Sequence, residues 1–342
     1  MKNYCLSSQN AMAFNGNFLL KGCSLKSILR KNYWRFSLTK YIVGRVIREF
    51  RKKQHVSQTE LCRGICSVSS LSRIESGDQM PPRKVAETLL SRLGRSPGLY
   101  DTPLTKADLK MSELEIQIAE HDSRGLLDYL PLLNEYKNQK ERLDDLENQC
   151  YLMYLARYEF RRTGDTSAAL DNYKRAMKLS LPDYTIGSSL SGFPLSRTEI
   201  DILFSITSCL NLLGRNEESV EILKFLQQQY ETREIDEIEM ANMYPVVLCN
   251  LACWYESRQD VDKALELFDR GMQICADYGR LTFYCYNMLN KGELLLKKGN
   301  KDEGKTLLSL GLFILDERGD HEEAVSIAKQ IKAEFDLTLS EK

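Results

Sequence analysis

Apolar residues recur three and four positions apart along most of this chain, and no period-two alternation runs far enough to mark a strand, so the pattern predicts an all-α protein. Near the start, Val43, Val46, Ile47 and Phe50 form one buried stripe, with Arg45, Arg48, Arg51, Lys52 and Lys53 mostly off it. Ser57 followed by Glu60 three residues later is a capping box, which satisfies two otherwise unpaired donors of a first turn. A short helix is therefore expected from about Gln58 to Gly64, where the glycine can supply a left-handed turn. Ser67 or Val68 then opens a third helix. Its apolar residues Val68, Leu71 and Ile74 are expected on one buried face, leaving Ser69, Ser70 and Arg73 outward.

Beyond Pro97, Gly98 and Pro103, helical segments with short polar breaks continue almost to the end. Small residues expected near the start of each second helix fall at Gly125, Ala169, Ser219, Ala264 and Gly304, at intervals of 44, 50, 45 and 40. Large residues follow four places on at Tyr129, Tyr173, Leu223, Phe268 and Leu308, and a third register three further on holds Leu132, Ala176, Leu226, Gly271 and Gly311. This rhythm predicts stacked helical hairpins in which small side chains let helices approach. In the best unit Leu251, Ala252, Tyr255, Ala264, Phe268 and Gly271 occupy tetratricopeptide (TPR) positions, and the unit resembles a TPR repeat. Five such hairpins are expected to stack as a right-handed superhelix, closed by a capping helix from about His321 to Phe335. Pro245 is expected inside or at the start of a first helix.

Length and charge divide the chain further. At 342 residues it exceeds the usual single domain. Residues 1–100 carry a net charge of +13, and the remainder −14, an asymmetry that the total of −1 conceals. A basic head suits a polyanion, and an acidic body would be repelled by one. The expected organisation is a basic, flexible extension at 1–38, a helix-turn-helix domain at 39–95, a hinge at 96–106, a TPR-like repeat domain at 107–336 and a tail at 337–342. In the extension, Lys21, Lys26, Arg30, Lys31 and Arg35 beside Tyr33 and Trp34 could instead lie along DNA as an arm.

Composition excludes several classes. The ten cysteines include no CxxC pair and there are three histidines, so no zinc spacing can be assembled and no cofactor is expected. Cys62, Cys66, Cys209, Cys249, Cys253 and Cys275 fall on apolar faces as small hydrophobes, which suits a reducing cytoplasm. No run approaches the ~18 apolar residues of a membrane span. Neither a phosphate loop nor a nucleophile with a plausible base is present, and an enzyme is the weakest reading.

Candidate chemistry lies in two places. On the third helix, the short hydroxyls of Ser67, Ser69 and Ser70 permit close approach to base edges, and the Arg73 guanidinium can take guanine O6 and N7 together. Gln58 is placed for a phosphate or base-edge contact, with Arg51, Lys52 and Lys53 as further cationic contacts. The run SQTEL followed by GICSVSSLSRIESG resembles the Cro/C1 (XRE-type) DNA-binding domain over about residues 39 to 95. In the body, Asn250 and Asn290 recur at the sixth position of successive units, where an amide can both donate to and accept from a peptide backbone. Cys253 and Glu256 follow the first, and Tyr286, Asn287 and Glu293 share a helix with the second. Equally, these asparagines could cap or bridge neighbouring helices.

A head of this type joined to a TPR-like acidic body resembles the RNPP group of bacterial regulators over about residues 39 to 336; the first 38 residues depart from that pattern. The resemblance implies a homodimer on a partly palindromic double-stranded DNA site, controlled by a short signalling peptide. It also implies that Gln58, Ser69, Ser70 and Arg73 contact DNA and that Asn250 and Asn290 hold the peptide backbone. Two alternatives stand beside it: a peptide-independent regulator whose repeats dimerise or dock a protein, and a protein-sequestering repeat protein, against which the helix-turn-helix argues.

Overall fold

A computed structural model describes residues 42–100, 105–188 and 193–337. Every regular element among them is helical, with fifteen α-helices and one 3-10 turn. They belong to two compact units, one ending at Ile206 and the other starting at Thr207. The 1–38 extension and the end of the tail lie outside the described residues.

The first unit opens with four short helices: α1 (Ile42–Lys53), α2 (Gln58–Cys62), α3 (Val68–Ser76) and α4 (Arg83–Arg92). The capping box forms as the sequence predicts. The Ser57 side chain accepts from the Glu60 amide while the Glu60 carboxylate accepts from the Ser57 amide. Ser67 caps α3, and Gly64 takes the left-handed turn at φ +67°. A β-carbon on Gly64 would lie 1.8 Å from the Ser180 carbonyl oxygen, so packing as well as conformation demands glycine there. Val43, Ile47, Leu61, Leu71, Ile74 and Leu89 form the small core. One expectation fails. Val68 is 43% exposed, whereas Leu71 and Ile74 on the same stripe are sealed. At the first position of α3, Val68 precedes the turn that meets the core.

A 3-10 turn (Pro97–Leu99) leads to the hairpins α5 (Lys106–Ser123) with α6 (Leu130–Lys137), α7 (Asp145–Thr163) with α8 (Thr166–Ser180), and the start of α9 (Arg197–Leu212). Residues 101–104 of the expected hinge lie outside the description, but the four-helix head and these hairpins share one compact unit and are fastened by ion pairs. The Arg83 guanidinium and Lys84 amine reach Glu115 on α5 at 3.0 and 2.8 Å, and the Tyr136 hydroxyl donates to the same carboxylate at 2.8 Å. Burial alone would raise the Glu115 pKa, but the two cations outweigh it and pull it down to about 2. Arg92, fully buried, donates to the carbonyls of Leu61 and Arg63 at 3.0 and 2.6 Å and pairs with buried Glu199 on α9 at 2.5 Å.

The second unit begins within α9 and continues through α10 (Asn216–Thr232), α11 (Glu237–Ser257), α12 (Val261–Asp277), α13 (Leu281–Lys297), α14 (Lys301–Glu317) and α15 (His321–Phe335). The expected small residues Ala169, Ser219, Ala264 and Gly304 are each the fourth residue of a second helix. Gly304 lets α14 close on α13, since a β-carbon there would stand 2.9 Å from the Gly292 carbonyl oxygen. Gly125 differs: it lies in the turn at φ +70°, before α6 begins at Leu130. Tyr129 fills that junction, buried with its hydroxyl donating to Asp122 at 3.1 Å. Pro245 is inside α11 and buried.

Candidate functional site

Three helices of the head converge on one carboxylate. Arg51, at the end of α1, donates from Nε and Nη2 to the two oxygens of Glu75 on α3 at 2.5 and 2.8 Å, and from Nη1 to the Val56 carbonyl at 3.0 Å. Gln58, the first residue of α2, donates from Nε2 to Glu75 Oε2 at 2.9 Å. The Glu75 side chain is 4% exposed and that of Arg51 12%. A buried carboxylate in this position is stable only because charged and neutral donors saturate it. It fixes the angle between the two helices of the turn, and it orients Gln58 as well. Because a carboxylate only accepts, the Gln58 NH2 faces Glu75, which leaves its carbonyl oxygen and second N–H for a ligand.

Around this brace lies a shallow depression whose lining includes Arg48, Lys52, Gln58, Thr59, Val68 and Ser72. Arg48, Lys52, Lys53, Ser69 and Arg73 are exposed, and Ser70 is half-buried. Ser67 is committed to its cap, accepting from the Ser70 amide at 3.0 Å and donating to the Ser70 hydroxyl at 2.9 Å. The sequence-predicted residues thus divide into two sets. Arg51, Lys52 and Gln58 line the depression, whereas Lys53, Ser69, Ser70 and Arg73 lie outside its lining and Ser67 caps α3. Glu75 and Val68 were missed. The partner of Arg51 lies 24 residues away with no local signal, and Val68 was counted into the core stripe.

The seven body residues lie on α11 and α13, which pack together. Asn287 is fully buried; its Nδ2 donates to the Phe283 carbonyl at 2.8 Å and to that of Pro245 at 3.4 Å. Its Oδ1 has no hydrogen-bond partner among the described residues. Gly271 leaves room for this side chain, since a β-carbon there would stand 2.5 Å from Asn287 Oδ1. Asn290, also buried, donates to the Tyr286 carbonyl at 2.8 Å and to Cys249 Sγ at 3.6 Å, while Cys253 Sγ lies 3.8 Å from its Oδ1. Tyr286 is buried as well. Asn250 is half-buried, with Nδ2 donating to the Val246 carbonyl at 2.9 Å. Glu256 is half-buried and meets Lys297 at 3.0 Å. Glu293 is 9% exposed. Burial pushes its pKa up to about 7, with Lys297 opposing and the carboxylates of Glu334 and Glu256 adding to the rise. The structure therefore brings all seven onto two packed helices, with Asn287 and Asn290 joining α13 to α11, the Tyr286 side chain meeting Glu323 on α15, and Asn250, Cys253 and Glu256 partly accessible.

The four-helix head with its braced turn defines a helix-turn-helix domain, and residues 47–100 match the helix-turn-helix family. The chain is thus a DNA-binding helix-turn-helix protein with a helical-repeat body. Among solved structures its fold is similar to that of Bacillus thuringiensis PlcR in complex with the peptide PapR7 and DNA, at a TM-score of 0.55 and 14% identity, over 84% of this chain and 99% of that one. Also similar are ComR from S. thermophilus in complex with DNA and its signalling peptide ComS (TM-score 0.45, 16% identity, 86% and 100% covered) and apo ComR from Streptococcus vestibularis (0.46, 14%, 86% and 98%). No curated protein matches the chain. The architecture is the one expected from the RNPP resemblance. No helix among the described residues is long and apolar enough to cross a membrane.

Proposed function

We propose that the protein is a cytoplasmic, homodimeric transcription regulator that reads a specific, partly palindromic DNA site and answers to a short signalling peptide bound along α11 and α13. The observation that carries the DNA half is the brace of Arg51, Gln58 and Glu75, which holds α3 beside a rim of exposed cations and hydroxyls. Lys52 and Lys53 neutralise phosphates, so replacing both by Ala weakens binding on every sequence and flattens its salt dependence. Arg73 reads a guanine from the exposed side of α3. The peptide half is supported by the likeness in fold to PlcR, a protein solved with a peptide and DNA, over 84% of this chain and 99% of that one. Asn250, Cys253 and Glu256 are then the first contacts, and Asn290 becomes available only where α13 shifts against α11.

That requirement favours a second reading. Tyr286, Asn287 and Asn290 already satisfy helix packing, as they would in a peptide-independent regulator whose repeats serve dimerisation or protein docking. Sequencing the genomic DNA fragments retained by the purified protein, with and without short peptides encoded beside its gene, separates the two. A palindromic motif enriched only with one peptide supports the first reading, and Asn250→Ala should then abolish the dependence. A motif enriched equally without any peptide supports the second. Uniform retention that disappears with salt would refute sequence-specific regulation.

A further inference from the structure

The depression beside the brace is polar and cationic except at one place. Val68, the first residue of α3, is the only large apolar side chain among the described residues that line it, and it is 43% exposed. Its flanks, Ser67 and Ser69, are short, so the isopropyl group leads the approach of the helix start to anything that docks there. A β-branched side chain in a helix keeps essentially one χ1 rotamer, so its two methyl groups are already positioned. The N-terminal residues of the second helix of such a turn are those that meet base edges in the major groove. Of the four bases, only thymine presents an apolar group there, the 5-methyl; the other edges are donors and acceptors. Cytosine N4, adenine N6 and N7, or guanine O6 and N7 facing Val68 would each lose water without gaining a hydrogen bond.

We propose that Val68 is a specificity-determining residue that packs against the 5-methyl group of a thymine and so selects an A·T pair at one position of the DNA site. This rests on the sequence-reading role proposed above. It assigns complementary work to one helix: Val68 reads a methyl group by shape, while Arg73 reads a guanine by hydrogen bonds.

The test begins with selection of bound sites from a randomised duplex library by the full-length protein, with and without the peptides encoded beside its gene. Each thymine of the enriched site is then replaced in turn by deoxyuridine, which removes the methyl group and leaves the pairing edge unchanged. The expected result is one position per half-site at which uridine weakens binding about three- to fivefold, the worth of one buried methyl-sized group. In Val68→Ala that loss falls below about twofold, while the effects of changing other positions persist. Circular dichroism of the variant checks the fold. An enriched site whose every thymine tolerates uridine, or a Val68→Ala variant that keeps the full uridine penalty, would overturn the contact alone. A library that yields no enriched site would overturn the sequence-reading role and the contact with it.

Discussion

Arg92→Leu tests whether the buried pair with Glu199 holds the head to the hairpins that follow it. Both side chains are fully buried, and the guanidinium also serves the Leu61 and Arg63 carbonyls at the end of α2. Glu199 further accepts from the Ser180 hydroxyl at 2.7 Å and from the Ser196 amide at 2.6 Å. Leucine occupies much of the vacated space, so the cost comes mainly from an uncompensated carboxylate and two carbonyls deprived of a charged donor. Breaking a buried pair in this way costs about 3 to 5 kcal/mol. Urea unfolding of the full chain gives the total, and hydrogen exchange over α2, α4 and α9 locates it, because the two compact units need not unfold together. Adding Glu199→Gln removes the stranded charge and keeps a side chain that can hydrogen-bond, so the double variant should regain at least about 2 kcal/mol.

The acid response supplies an independent reading of the same pair. Burial raises the Glu199 pKa, but the Arg92 charge and the hydrogen bonds from Arg92, Ser196 and Ser180 outweigh it, and the net shift is downward. A depressed folded pKa means that this contribution is complete above the ordinary carboxylate range and is lost as pH falls through the folded value. With Arg92 gone, burial dominates and the sign reverses: lowering the pH toward 5 should stabilise Arg92→Leu relative to its own stability at pH 8. A cost under about 1 kcal/mol, an absent double-mutant coupling or an unchanged acid response would each refute the pair as the fastening.

Glu293→Gln should stabilise the second unit above pH 7 by up to about 3 kcal/mol. The native carboxyl binds its proton more tightly when folded, with a pKa of about 7, so stability is fully present below the unfolded value and lost as pH rises through 7. Equal denaturation midpoints for the variant and the original chain at pH 8 would remove that argument. Glu75→Ala should destabilise the head by about 2 to 4 kcal/mol, since it strands the half-buried Arg51 and releases Gln58, whereas Arg48→Ala should leave the melting temperature unchanged and reduce the salt slope of DNA binding by about one. Gly64→Ala should cost about 2 kcal/mol or more, because a β-carbon meets both the left-handed conformation and the Ser180 carbonyl; an unchanged thermal midpoint would show that the loop moves aside. Arg73→Ala should lower specific affinity by about 1 to 3 kcal/mol and relax one base preference, measured by competition among single-position variants of the selected site.

Much of the fold was legible because its signals are local. A serine cap with a glutamate three residues later, a glycine at a left-handed turn and small residues at one register of the repeats each act within a few positions, and the structure uses them at Ser57, Gly64, Ala169, Ser219, Ala264 and Gly304. Where a signal failed, the reason is also local. Gly125 is small because its turn needs positive φ, not because a helix packs there.

The site was less legible because periodicity says which residues share a face, but not what lies opposite. Arg51 is one of five cations on α1, and only the distant Glu75 turns it from a surface charge into a brace. Asn250 and Asn290 occupy the same register, yet Asn290 meets Cys249 and Cys253 of the neighbouring helix while Asn250 stays half-open. Amides that can read a peptide backbone can equally read a helix that has already packed against them. A peptide that used Asn290 would have to compete with α11 for it, so its affinity would be the difference between two sets of contacts and its binding would alter how those helices pack. The same competition is what would let a ligand of the repeats change the state of the protein.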